Sequence, residues 1–145
     1  MPFLSSLNIG GSGLSAQKTR MNIISQNIAN ASTTRTENGE TYRRKLVTLQ
    51  EDVLNDFGAV LEDENNRIQV SGVTVAAVMD DMTDFKAVYN PSHPDADENG
   101  YVMMPNVDTT TEMVEMIEAS RSYEANVTAF NAIKLMATKA LDIGK

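Results

Sequence analysis

The chain of 145 residues holds no cysteine and no tryptophan, only one histidine and four prolines, and its aromatic content is 6%. Without cysteine there are no disulfides, no thiolate metal sites and no thiol nucleophile. With His93 alone, any site that needs two imidazoles is excluded. Few aromatics predict a small or elongated body rather than a deep core. No stretch approaches the roughly 20 apolar residues of a membrane span; the best run is Val73 to Met79, and Thr74 interrupts it. Met1 to Asn8 carries no basic segment and no long apolar segment, so a cleaved secretory signal is not expected. These absences argue against most enzyme chemistry. The expectation is a single domain of no catalytic type.

The net charge of −8 is unevenly spread. The first fifty residues hold six Lys/Arg against two Asp/Glu, whereas the remainder holds six against eighteen. An acidic chain is a poor nucleic-acid ligand, because phosphate contacts dominate that affinity. The single basic cluster, Arg43-Arg44-Lys45, reads as a solvated strand start or a partner contact.

Three regions follow from periodicity. Leu14 to Ala31 lacks Gly and Pro; Leu7, Leu14, Met21 and Ile28 recur every seven residues, with Ile24 and Ala31 three beyond two of them, the spacing of a helix seam. Gly10, Gly11 and Gly13 predict a flexible start, with Ser12 as N-cap. A seam this short is not stable alone. Thr110 to Ile143 is also free of Gly and Pro and predicts a second, longer helix that Gly144 stops. Its apolar stripe runs Met113, Met116, Ile117, Ser120, Tyr123, Val127, Phe130, Ala137, Leu141, widened by Ile133 and Met136. Glu112, Glu115 and Glu118 oppose the positive end of its dipole. Between the helices, Tyr42 to Gln50, Arg67 to Val78 and Phe85 to Tyr89 alternate as strands do. Ser71-Gly72 predicts a bulge or turn, Glu62 to Asn66 a hairpin loop, and Asn90 to Gly100 a longer loop.

The fold class expected is therefore α+β: N- and C-terminal helices packed as a coiled-coil-like unit, with a small β-rich middle segment inserted. Residues 1–33 with 107–145 make the discontinuous helical domain, and 34–106 the middle. The two stripes, roughly 18 residues against 34, predict that pairing them leaves about half of the longer seam uncovered. An uncovered stripe marks assembly with other copies.

Motifs for chemistry fail on context. Gly11-Ser12-Gly13-Leu14-Ser15-Ala16 fits the G-x-G-x-x-A dinucleotide loop, but no strand precedes it and the nearest downstream acid is Glu37. Asp95-Ala96-Asp97-Glu98-Asn99-Gly100 imitates half of a calcium loop, yet the twelfth position is Asn106 rather than Glu. A turn held by Asx hydrogen bonds is the expected reading. His93, between Ser92 and Pro94, is expected to have a packing or hydrogen-bond role.

The run Ser12-Gly13-Leu14-Ser15-Ala16-Gln17, followed by Arg20-Met21-Asn22-Ile23-Ile24-Ser25-Gln26-Asn27-Ile28-Ala29-Asn30-Ala31, resembles the N-terminal signature of bacterial flagellar rod and hook axial proteins. Glu112 to Ala119 with Arg121-Ser122-Tyr123-Glu124-Ala125-Asn126 resembles that family's other end. The segment from Tyr89 through Asp97 to Val107, and the lack of a larger middle domain, is similar to its short, proximal-rod members. The resemblance implies a protomer of the flagellar basal-body rod, the shaft that transmits torque from motor to hook. It implies D0-type terminal helices that pack as an inner tube and a middle segment that forms an outer layer. It also implies type III export without a cleaved signal, a periplasmic position within the basal body, and partners that are copies of itself and other rod proteins. No nucleic acid, small-molecule substrate, cofactor or metal is implied. The assembly residues expected are Leu14, Met21, Ile24, Ile28, Met116, Tyr123, Val127 and Phe130. Other readings are another axial family member, a cytosolic coiled-coil adaptor or chaperone, and a soluble enzyme or cation-binding protein using Asp95 to Gly100.

Overall fold

A computed structural model describes residues 2–52 and 71–143. The order is α1 (Pro2–Ala29), β1 (Lys45–Asp52), β2 (Gly72–Asp80), β3 (Lys86–Tyr89), β4 (Tyr101–Met104) and α2 (Thr109–Ile143). The fold is α+β, two terminal helices with a small β-rich middle segment between them. The expected hairpin loop at Glu62 to Asn66, the start of the Arg67 strand and the Gly144 stop lie outside the described residues.

The N-terminal helix departs most from expectation. α1 spans 28 residues, and Gly10, Gly11 and Gly13 lie inside it rather than in a flexible lead. Ser12 is no N-cap: its hydroxyl donates to the Ile9 carbonyl at 2.9 Å and accepts the Val73 amide at 3.1 Å. Gly10 and Gly13 sit where α2 comes close. A Cβ on Gly10 would stand 3.3 Å from Phe130 Cδ2, and one on Gly13 would stand 3.2 Å from Asn126 Nδ2. Gly72, on β2, faces the Ser12 hydroxyl in the same way. The helical propensity lost at glycine, about 1 kcal/mol each, is offset by this close approach of packed elements.

Gly11 has no atom within 4 Å of its would-be Cβ. Gly11→Ala is therefore expected to stabilise the protein by about 0.5–1 kcal/mol, whereas Gly13→Val should destabilise it by about 1–3 kcal/mol through overpacking. Urea denaturation followed at 222 nm reads both. Equal and opposite shifts of the two, in the reverse sense, would place α2 elsewhere.

Asn27 meets Glu112 near one end of the pair and Gly10 meets Phe130 towards the other, so the two helices run antiparallel. On α2 the less exposed positions include Glu112, Met116, Ala119, Tyr123, Asn126, Phe130, Ile133 and Ala137, alternately four and three apart, the geometry of a coiled-coil seam, with Glu115, Ser120 and Val127 flanking them. Met113, Ile117, Met136 and Leu141, assigned to the stripe from periodicity, are exposed instead. The length argument is corrected too, because α1 has 28 residues against 35 in α2, its first twelve preceding the glycine-free core.

β1 and β2 pair antiparallel from Lys45↔Asp80 to Asp52↔Gly72, and the hairpin packs on α1. The irregularity falls at Ala76, where the register slips between Thr48 and Leu49, not at Ser71-Gly72. β3 and β4 form a second antiparallel pair, Lys86↔Met104 to Tyr89↔Tyr101. β4 was not foreseen: four residues next to Gly100 and Pro105 leave too short a run to show alternation. Asn90 to Gly100 is a loop, closed by Asp97 Oδ1, which accepts the amides of Asn99 and Tyr101 at 2.9 and 2.8 Å. This is the expected Asx turn. His93 Nδ1 accepts the Asp95 amide at 3.1 Å, the hydrogen-bond role expected of it.

Candidate assembly interface

The apolar interior is thin. Among the described residues the buried apolar side chains are Ala16, Ile24, Val102, Pro105, Val107 and Ala119. Two polar side chains are buried more completely than most of these: Glu112 is 0% exposed and Asn27 1%. They belong to one node that joins α1, the start of β1 and the start of α2.

At its centre the Asn27 amide is fully engaged. Its Nδ2 donates to the Lys45 carbonyl at 2.9 Å and to Glu112 Oε2 at 3.0 Å. Its Oδ1 accepts the Lys45 amide and the Tyr42 hydroxyl, each at 2.9 Å. Arg44 supplies the countercharge: its Nε donates to Glu112 Oε1 at 2.5 Å and its Nη2 to Glu115 Oε1 at 2.7 Å, with Asp81 at 3.8 Å. Arg20, on α1, reaches Glu115 at 3.6 Å. The Arg44 amide donates to Asn106 Oδ1 at 2.8 Å, and Asn106 Nδ2 donates on to Asp81 and Thr83. Burial works against the Arg44 charge, but its hydrogen bonds to Glu112 and Glu115 outweigh it and hold its pKa above the usual value. Burial also raises the Tyr42 pKa, helped by the carboxylates of Asp80 and Glu112. Such a pair is stable because each Glu112 oxygen has a donor and the Arg44 guanidinium faces three carboxylates.

The basic cluster is thus divided, and the reading of it as solvated is corrected. Arg44 is enclosed by carboxylates, while Arg43 lies over the Phe85 ring at 4.2 Å and donates to the carbonyls of Asp81 and Thr83. Glu112 is not simply a dipole partner of the helix. The helix start is capped by Asp108, whose Oδ1 accepts the amides of Thr110 and Thr111. No periodicity marks these roles. The available signal was an Asn near the end of one seam and a Glu at the start of the other, both at seam positions normally apolar.

Of the residues expected to assemble, Ile24 is buried at 3% exposure. Leu14, Met21, Ile28, Met116, Tyr123, Val127 and Phe130 are half-buried. The structure brings Phe130 against α1 at Gly10. Left exposed on α2 are Met113, Val114 and Ile117 near its start, and Leu135, Met136 and Leu141 towards its end. Among the described residues no group of three His, Asp or Glu is placed to hold a metal. No described helix is long and apolar enough to cross a membrane.

Asp108 and Asp81 predict the acid limb of stability. Backbone amides, Thr111 and Thr110 for Asp108 and Thr83 for Asp81, hold both carboxyls below the usual aspartate value. A lowered folded-state pKa means the stabilisation is complete above the unfolded value, about 4, and is lost as pH falls through the folded value. The melting temperature is expected to drop below about pH 4, and Asp108→Ala should remove part of that slope while already melting lower at pH 7. Thermal melts by circular dichroism at pH 7, 5, 4 and 3 read this.

Two terminal helices paired antiparallel, a β-rich insert and a thin apolar interior define a structural, helix-paired assembly protein. Residues 7–35 match the family described as flagella basal body rod protein, and residues 98–143 match the family described as flagellar basal body rod FlgEFG protein C-terminal. The chain is 47% identical to the flagellar basal-body rod protein FlgC of Bacillus subtilis, over 97% of each chain. It is 43% identical to that of Borreliella burgdorferi, over 99% of this chain and 98% of the relative. With that of Salmonella typhimurium it shares 40% over the whole of both. The chain belongs to the FlgC family of flagellar basal-body rod proteins, structural components of the basal body.

Proposed function

We propose that this chain builds the rod by association of its terminal helices, α1 and α2, with copies of itself and with other rod proteins, and that the shaft so formed transmits torque from motor to hook. The observation that carries this is the apolar surface left on α2: Met113, Val114 and Ile117, then Leu135, Met136 and Leu141. Single exposed apolar residues are ordinary, but a series along one helix of a thin-cored chain favours burial against neighbours. In this reading residues 1–33 with 107–145 form the axial layer and 34–106 the outer layer. Leu14, Met21, Ile24, Ile28, Met116, Tyr123, Val127 and Phe130 hold the helix pair whose outer faces make the contacts. Torque passes through many lateral contacts in parallel, so no residue is given a catalytic role. Delivery is by type III export to a periplasmic position, without removal of a leader.

Light scattering together with far-UV circular dichroism, as the purified chain is concentrated, tests the association. A rising mass is expected. Cell fractionation tests the place: the chain should travel with purified basal bodies, and stay in the cytosol when flagellar export is disabled. A monomer at every concentration, found in the cytosol whether or not export is active, would favour an adaptor instead.

A further inference from the structure

We infer that Asn27 is the register-determining residue of the helix pair, acting through Glu112 and Arg44 to select one axial alignment of α1 on α2. The inference rests on the assembly reading, because that reading needs the outer faces of both helices in fixed relation. The α2 seam alternates four and three from Glu112 to Ala137, so its spacing alone fits α1 equally well after a slip of one heptad. Such a slip moves α1 by about 10 Å. It would bring Asn27 opposite Ala119 in place of Glu112, and Arg20 opposite Asn126 in place of Gly13. The apolar part of that exchange costs the contact of Phe130 with Gly10.

The polar node penalises it strongly. In the observed register Asn27 satisfies both backbone groups of Lys45, the Tyr42 hydroxyl and Glu112 at once. One heptad away, Glu112 keeps Arg44 but loses Asn27, and Asn27 faces a methyl group. Single buried polar residues at seam positions are known to select register at some loss of stability. Here the residue also ties α1 to the first residue of β1, so the helix pair and the hairpin share one alignment.

The chain lacks cysteine, so introduced thiols report register without background. Gly13→Cys with Asn126→Cys samples the observed alignment, where the two positions touch. Arg20→Cys with Asn126→Cys samples the slipped one, and loses only a half-exposed ion pair. In the native register positions 20 and 126 lie beyond the roughly 7 Å that a disulfide can bridge. With the node intact, only the 13/126 pair should oxidise. In the background Asn27→Leu, Tyr42→Phe, Glu112→Leu the 20/126 yield should rise at least about tenfold, the equivalent of one lost buried hydrogen bond. A background that keeps its helical spectrum while 20/126 stays unoxidised overturns the inference, and assigns register to the Gly10–Phe130 fit instead. Where that background does not fold, Glu112→Gln is read in its place: a rise in 20/126 supports the inference and a flat yield overturns it. Measured on dilute monomer, the result is independent of association, whose failure shows only in light scattering.

Discussion

Replacing Arg44 with alanine is expected to lower the free energy of unfolding by about 3–5 kcal/mol, the usual loss when one partner of a buried ion pair is removed. Glu112 has no exposed surface and two partners, Arg44 and Asn27. Without the guanidinium it keeps one neutral donor for a full charge. The reverse change is milder. In Glu112→Ala, Arg44 retains Glu115 at 2.7 Å and Asp81 at 3.8 Å, and part of its side chain reaches solvent. About 1–3 kcal/mol is expected there, chiefly from the unsatisfied Asn27 amide. Arg44→Lys should rescue little, since an ammonium cannot reach two carboxylates with the fixed fork of a guanidinium. Urea unfolding of the three variants gives the order directly. If Glu112→Ala proves the more damaging, the countercharge is not what sustains the node.

Ile24→Asp is expected to abolish swimming while the protein is still made, and so is Val127→Asp. At 3% exposure the Ile24 site takes a carboxylate out of water, and burying a charge there costs several kcal/mol. Val127 is half-buried and flanks the seam beside Asn126, so its stability loss should be smaller than that of Ile24→Asp. Ile117→Asp separates pairing from assembly. Its side chain is exposed, so the isolated monomer should melt unchanged, yet the assembly reading expects impaired motility. Soft-agar spreading, with immunoblots for the chain and melts of the purified variants, distinguishes the cases. Normal spreading by Ile24→Asp would remove α1 from the working part of the molecule. Normal spreading by Ile117→Asp alone would leave the helix pair in place and move the contact surface elsewhere.

Local pattern carried much of the fold. An uninterrupted stretch without Gly or Pro placed α2 within one residue of its observed start, because 3.6-residue periodicity and the absence of breakers act over a few turns. β1, most of β2 and β3 followed from alternation for the same reason. The glycines of α1 misled, because propensity treats each as a helix breaker. Their bare Cα atoms instead admit Phe130 and Asn126 from a helix more than a hundred residues away in sequence. The seam suffered likewise: Met113 and Ile117 have the spacing of seam residues, but the side on which α1 lies exposes them.

By itself, then, the sequence determined what depends on neighbours along the chain: two terminal helices, a strand-bearing middle, an Asx turn at Asp97, and the absence of thiol chemistry. Only the tertiary structure decided what depends on distant neighbours. It alone enclosed Glu112 and Asn27, turned Arg44 inward and Arg43 onto Phe85, and chose which apolar residues of α2 remain in water. Burial and charge pairing are set by atoms that meet across 85 residues for Asn27 and Glu112 and 68 for Arg44 and Glu112, a separation no local pattern encodes.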